Sequence, residues 1–120
     1  MQDFRQLLVW QKSHEMVLRI YGVTQAFPAS EVYGLSNQMR RASVSVPSNI
    51  AEDSGRGSDK EFAQFVQIAI GSISELEYQT LLAKDLGYMS MTTYNELIGQ
   101  IAEVKRMLIG LRKKLKANSF

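Results

Sequence analysis

Residues 93–116 read TYNELIGQIAEVKRMLIGLRKKLK, and Leu97, Ile101, Val104, Leu108, Leu111 and Leu115 recur in that stretch at alternating steps of four and three. Such spacing stacks apolar side chains on one face of an α-helix and leaves the remainder to solvent. Thr93 followed by Glu96 has the spacing of a capping box, so the last helix is expected to open there. Upstream, Phe62, Phe65, Ala69, Ile73, Leu76, Thr80 and Ala83 share a face, Ser58 and Glu61 form a second capping box, and Gly87 supplies a left-handed stop. Leu35, Met39, Ala42, Val46 and Ile50 mark a helix ending near Ser54, with Pro47 inside it. A proline there removes one backbone hydrogen bond, and helix is expected on both sides of a kink. Trp10, Val17, Ile20, Val23 and Phe27 give a first helix from about Arg5 to Ala26, stopped by Pro28.

Four amphipathic helices with short connections predict an all-α, up-down-up-down antiparallel four-helix bundle, because short loops leave no length for crossovers. The chain of 120 residues suits a single domain over 1–120 with its own core. Hydrophobic residues at 45% and charged residues at 22% exclude wholesale disorder. In Phe65–Ile70, apolar side chains point nearly all round the helix. Either a neighbouring subunit covers the second face, which predicts a homo-oligomer, or the flanking helices of the same bundle do.

Much chemistry is excluded by what is missing. No cysteine is present, which removes disulfides, thiol nucleophiles and zinc fingers and points to a reducing cytoplasm. No stretch approaches the roughly 18 apolar residues of a membrane span. The single histidine, His14, cannot supply the paired Glu-x-x-His motifs of a di-iron bundle, and no serine lies in a nucleophile elbow. Residues 54–58, SGRGS, lack the preceding strand and the Lys-Ser/Thr of a phosphate loop, so Gly55 and Gly57 read as turn residues. Glu75 and Glu77 are two apart, do not share a helix face, and read as solvated. No catalytic residue, metal ligand or cofactor is expected, and the chain reads as a non-enzyme.

The positive signal is charge. The formal net charge is only +2, yet residues 104–120 carry six basic side chains and no acid. On a helix of 100° per residue, Lys105, Arg112 and Lys116 fall within about 40° of one another, with Arg106 and Lys113 further round on the solvent side. Cations also favour helix C-termini simply because they oppose the macrodipole. In an up-down bundle, however, that end gathers Arg5, Lys12, Arg56, Lys60, Arg112, Lys113, Lys114 and Lys116 against Asp3, Glu52, Asp53, Asp59 and Glu61, while the opposite end sets Lys84 against Glu31, Asp85 and Glu96. Repeated around a symmetric assembly, the positive ends would make a polyvalent surface for a polyanion such as RNA or DNA.

Three segments, LLVWQKSHEMVLRIY over 7–21, FPASEVYGLSNQMRRASVSVPSNIAEDSGRG over 27–57 and EFAQFVQIAIGSISELEYQTLLAKDLGY over 61–88, resemble the four-helix-bundle family encoded in intervening sequences of bacterial large-subunit ribosomal RNA genes. That family carries a ribosomal-protein-like name. The Arg40-Arg41 pair, the run from Pro47 to Glu52 and the Gly55-Arg56 loop carry the resemblance most specifically, and Asp53 stands where the family more often has glycine. The resemblance implies a bundle assembling as a ring-like homopentamer, related to accessory proteins of diversity-generating retroelements that bind nucleic acid and a reverse transcriptase through a basic surface. Under it, Arg40, Arg41, Asn49, Glu52 and Arg56 become positions of interest. The alternative for these is structural, with Arg41 and Glu52 each bracing a neighbour and Asn49 satisfying the carbonyl freed by Pro47.

The expectation is therefore a cytoplasmic, oligomeric bundle binding nucleic acid, RNA first, through Arg56, Lys105, Arg106, Arg112, Lys113 and Lys116. The alternative partner is a protein, such as a reverse transcriptase or a ribosomal component, with the chain acting as an assembly adaptor.

Overall fold

A computed structural model describes residues 3–54 and 57–118. Among them are four α-helices and no strand: α1 Leu8–Thr24, α2 Leu35–Asp53, α3 Asp59–Asp85 and α4 Met91–Asn118. The body measures 47 × 22 × 20 Å, its long axis close to the about 42 Å expected of a 28-residue helix. The α3 helix packs broadly against α2 and α4, and α1 packs against α2 with a thinner seam to α4.

The apolar stripes form the core. Met16, Ile20, Met39, Val46, Ile50, Val66, Ile73, Leu76, Leu97, Ile101, Val104 and Leu108 are fully buried. Of the expected stripe residues, Trp10, Val23, Phe65 and Leu111 are half-buried at its margins. The arc Phe65–Ile70 is largely covered within the chain: Val66, Ala69 and Ile70 are buried, and Ile68 alone of its apolar residues is exposed. The flanking helices thus absorb most of what the sequence suggests for a neighbouring subunit. Two buried threonine hydroxyls are met inside their own helices, Thr24 donating to the Ile20 carbonyl at 2.7 Å and Thr80 to that of Leu76 at 2.8 Å.

Helix ends follow local chemistry, with corrections. The first helix does not begin at Arg5. Asp3 accepts from the Arg5 backbone at 2.9 Å and caps a separate 3-10 turn, Phe4–Gln6, after which Leu7 is extended and α1 starts at Leu8. The α3 cap is as expected, the Glu61 N–H donating to the Ser58 hydroxyl at 3.1 Å. For α4 the capping residue is Ser90 rather than Thr93: the Thr93 N–H donates to the Ser90 hydroxyl at 3.1 Å, and the helix opens at Met91. Thr93 is therefore the third helical residue, and Glu96 is free to reach α1. Gly87, at φ +81°, closes α3 with the Gly87 N–H on the Lys84 carbonyl and the Tyr88 N–H on that of Ala83, both at 2.9 Å, the pairing of a Schellman motif.

Pro47 is buried within α2, which continues on both sides of it to Asp53. The carbonyl left without its usual donor is that of Ser43, four residues earlier. Asn49 does not serve it. Its amide donates to the Ser45 carbonyl at 2.7 Å and the Ser45 hydroxyl at 3.0 Å, and that hydroxyl meets the Ser72 hydroxyl of α3 at 2.8 Å. Beyond α2, Gly57 allows a close approach, since a Cβ there would lie 2.6 Å from the Asp53 carboxylate.

The α1–α2 and α3–α4 connections are tied together by Glu31. Its carboxylate accepts from the Leu35 N–H at 3.0 Å, capping α2, and from the Tyr88 hydroxyl at 2.7 Å, while Tyr88 packs on Phe27 with ring centres 5.3 Å apart. The Leu35 N–H and then the Tyr88 hydroxyl hold the Glu31 carboxyl below its ordinary range, and the same bond pushes Tyr88 up.

Three outcomes follow. Gly87→Ala should destabilise the protein by about 1 kcal/mol in urea melts, because alanine resists the left-handed conformation. Gly71→Ala, mid-helix in α3 and with nothing within 4 Å of an added Cβ, should stabilise it by about 0.5–1 kcal/mol. A depressed carboxyl pKa contributes stability above the unfolded value and loses it as pH falls through the folded one. The melting-temperature gap between the parent and Glu31→Gln should therefore be full at neutral pH and shrink under acid, below the ordinary value of 4.5.

Candidate nucleic-acid interface

The six cations after Glu103 fall on different flanks of α4. Lys105 is half-buried and turned to α3, where its ammonium lies 3.3 Å from Glu77. Arg112, also half-buried, donates to the Gln67 side chain of α3. The single solvent-facing sector expected from the helical wheel is thus split, because the flank of α4 bearing Lys105 and Arg112 lies along α3. Glu77, expected to be solvated, is occupied by the same contact. Arg106, Lys113, Lys114 and Lys116 are exposed. Arg112 meets a neutral amide, so its charge is not cancelled, whereas that of Lys105 is partly met by a carboxylate. Arg56 lies outside the described residues.

On the α1 side of α4, Lys12 lies 3.8 Å from Glu103, and Arg19 forms an ion pair with Glu96. Both are surface pairs, worth little individually. They consume the acids nearest the basic run and leave its last three turns without a carboxylate on α4 itself.

Arg40 and Arg41 part company although adjacent. The Arg40 guanidinium lies 4.6 Å from the Tyr21 ring centre and donates to the Thr24 hydroxyl at 2.8 Å and the Tyr21 carbonyl at 3.4 Å, strapping α2 to α1. Arg41 is exposed and has no ion pair among the described residues. Asn49 serves the α2–α3 seam, and Glu52 is exposed near the end of α2. Of the positions the resemblance singles out, Arg40 and Asn49 thus make structural contacts. Their signal lay in the pairing of Arg40 with Tyr21 and Thr24 across a turn, which no spacing rule reveals.

No three His, Asp or Glu side chains among the described residues are grouped to hold a metal ion. No described helix is long and apolar enough to cross a membrane. His14 is exposed and stacked on Trp10, with ring centres 5.0 Å apart and planes at 9°.

The sequence matches the family model of the 23S rRNA-intervening sequence protein over residues 5–110. The chain belongs to that family. A crystal structure of a protein with unknown function from the S23 ribosomal protein family of Bacteroides thetaiotaomicron is similar in fold, with a TM-score of 0.80 at 25% identity over 88% of this chain and 96% of that one. No match was found among curated proteins. The resemblance read from the three sequence segments is therefore correct, and the family links the chain to ribosomal RNA intervening sequences by name.

The two arginines should separate in a melt. Arg40→Gln removes a cation–π contact and two hydrogen bonds and should cost about 1 kcal/mol, whereas exposed Arg41→Gln should stay within about 0.5 kcal/mol of the parent, both read from urea unfolding.

Proposed function

We propose that the chain is a non-enzymatic nucleic-acid-binding protein of the cytoplasm whose ligand is RNA, engaged through the exposed basic face of α4. The observation that carries this reading is the group Arg106, Lys113, Lys114 and Lys116, exposed along three turns that hold no acid. Phosphate contacts are charge-driven and need no base-reading groove, which fits a convex helix face better than sequence-specific recognition. The family's name makes ribosomal RNA carrying an intervening sequence the first ligand to test.

In this reading the helices run up-down-up-down. Supporting that order, Lys12 meets Glu103 and Arg19 meets Glu96 in opposite senses along α1 and α4, as Lys105 with Glu77 and Arg112 with Gln67 do along α3 and α4. The protein acts as a homo-oligomer, a pentamer by the resemblance, so that one basic face per subunit becomes a repeated surface with multivalent affinity. Ile68, Tyr78 and Leu81 remain exposed on α3 and are the residues offered for contact between copies.

Light scattering tests the assembly: about five times 13.6 kDa supports the pentamer, and a concentration-independent mass of one subunit removes it. For RNA, combined Arg106→Gln, Lys113→Gln and Lys114→Gln should weaken binding to unrelated sequences about equally and lower the slope of log affinity against log salt by about 0.7–0.9 per lost contact. Lys105→Gln, whose charge is already engaged by Glu77, should change neither. Equal affinity and slope for the triple variant and the parent would remove this face from the mechanism.

A further inference from the structure

The face formed by α1 and α2 lies away from the basic run and has a different character. Trp10, His14, Val17 and Tyr21 step by four, three and four along α1, and Asn37, Arg41, Val44, Ser48 and Ala51 step by four, three, four and three along α2. These two rows wall a groove made of two adjoining hollows, of about 300 and 470 Å³, that share Val44. Each row has the periodicity with which a helix presents a seam to another helix. From Asn37 to Ala51 the groove runs for about 21 Å, the length of roughly four helical turns.

Its two halves differ. Val17, Val44, Pro47 and Ala51 make one half apolar, with Trp10 and His14 as its wall. The other half holds Arg40 and Arg41 beside Tyr21 and Asn37, and no carboxylate lines either half. Arg40 is engaged only by neutral oxygens and a ring, and Arg41 has no ion pair among the described residues, whereas Arg5, Lys12, Arg19, Lys84 and Lys105 each meet a carboxylate. The groove thus holds two positive charges that no carboxylate among the described residues meets.

The aromatic groups in it are not stacking platforms for bases. Trp10 is covered on one face by His14 and met by the Phe4 ring at 5.0 Å and 62°, and Tyr21 is covered by Arg40. A nucleic-acid strand would find phosphate partners at one half and only apolar floor at the other. An amphipathic helix satisfies both.

We infer that the α1–α2 groove docks an amphipathic helix of a partner protein, its apolar side chains on Val17, Val44 and Ala51 and its acidic residues against Arg40 and Arg41. This site goes beyond the RNA-binding reading and does not depend on it.

Trp10 is the only tryptophan and stands in the groove wall, so its emission reports occupancy in the intact protein. The probes are two helical peptides of about 16 residues with one leucine stripe, identical except for glutamates or lysines in the terminal turn that faces the arginines. The glutamate peptide should change Trp10 emission saturably, the lysine peptide at least about tenfold more weakly, and Arg41→Glu should reverse that preference. Val44→Asp should abolish the response, with unchanged melting of both Val44→Asp and Arg41→Glu guarding against loss of fold. The Arg106, Lys113 and Lys114 variant should respond as the parent does, which separates this site from the RNA face. A missing response, equal response to both peptides, displacement of the glutamate peptide by a single-stranded RNA, or groove variants that change the mass of the assembly instead would each overturn the inference.

Discussion

Burial of one apolar stripe per helix is the constraint on which the remaining structure depends. Each stripe residue removed from water contributes roughly 1.5–3 kcal/mol, so rotating any one helix about its axis would forfeit several such terms at once. With the rotation of α4 fixed by Leu97, Ile101, Val104 and Leu108, every other residue on α4 has its flank assigned as well. Lys105 and Arg112 then lie along α3, where Glu77 and Gln67 receive them, and Arg106 and Lys113 stay in solvent. The division of the basic run into engaged and exposed cations is thus a consequence of packing, not of charge.

The same reasoning accounts for how much could be read from the sequence. The stripes of α2 and α4 were legible because apolar identity and helical period are both local properties, and all five α2 stripe residues are buried. Gly87 was legible because its left-handed turn needs no knowledge of neighbours. The N-cap of α4 is less so: three residues with aliphatic hydroxyls, Ser90, Thr92 and Thr93, precede the stripe, and Ser90 takes the role because Tyr88 and the Schellman turn already fix the chain just before it. Lys105 and Arg112 depart from the helical-wheel expectation for another reason. A helical wheel gives the angle between two residues but not which neighbour lies at that angle. The α1–α2 groove and the Arg40 strap were invisible, since both depend on which residues of two helices come level with each other.

Pro47 illustrates how a local penalty is accommodated. It deprives the Ser43 carbonyl of its usual donor, yet its ring is apolar, buried, and forms part of the groove floor. Close by, Asn49 and Ser45 carry a hydrogen-bonded chain to Ser72, so the α2–α3 seam gains polar contacts one turn from the defect. The small side chains of this part of α2, Ser45, Ser48 and Ala51, keep its outer side shallow, and the hollow beside α1 exists because nothing bulky fills it.

The four helices are not held equally. The seams of α3 with α2 and α4 are broad and apolar, whereas α1 reaches α4 across a thinner one, reinforced by Lys12 with Glu103 and Arg19 with Glu96, and reaches α2 partly through Arg40. Surface ion pairs weaken with salt and contribute little individually, while buried apolar contacts do not weaken in that way. Small displacements of α1 are therefore the least costly in the bundle, and α1 forms one wall of the groove. A two-helix groove whose weaker wall can adjust accepts an incoming helix at lower cost than one framed by α2 and α3, while the basic face of α4, held to α3 by their broad apolar seam, keeps its geometry whether or not that groove is filled.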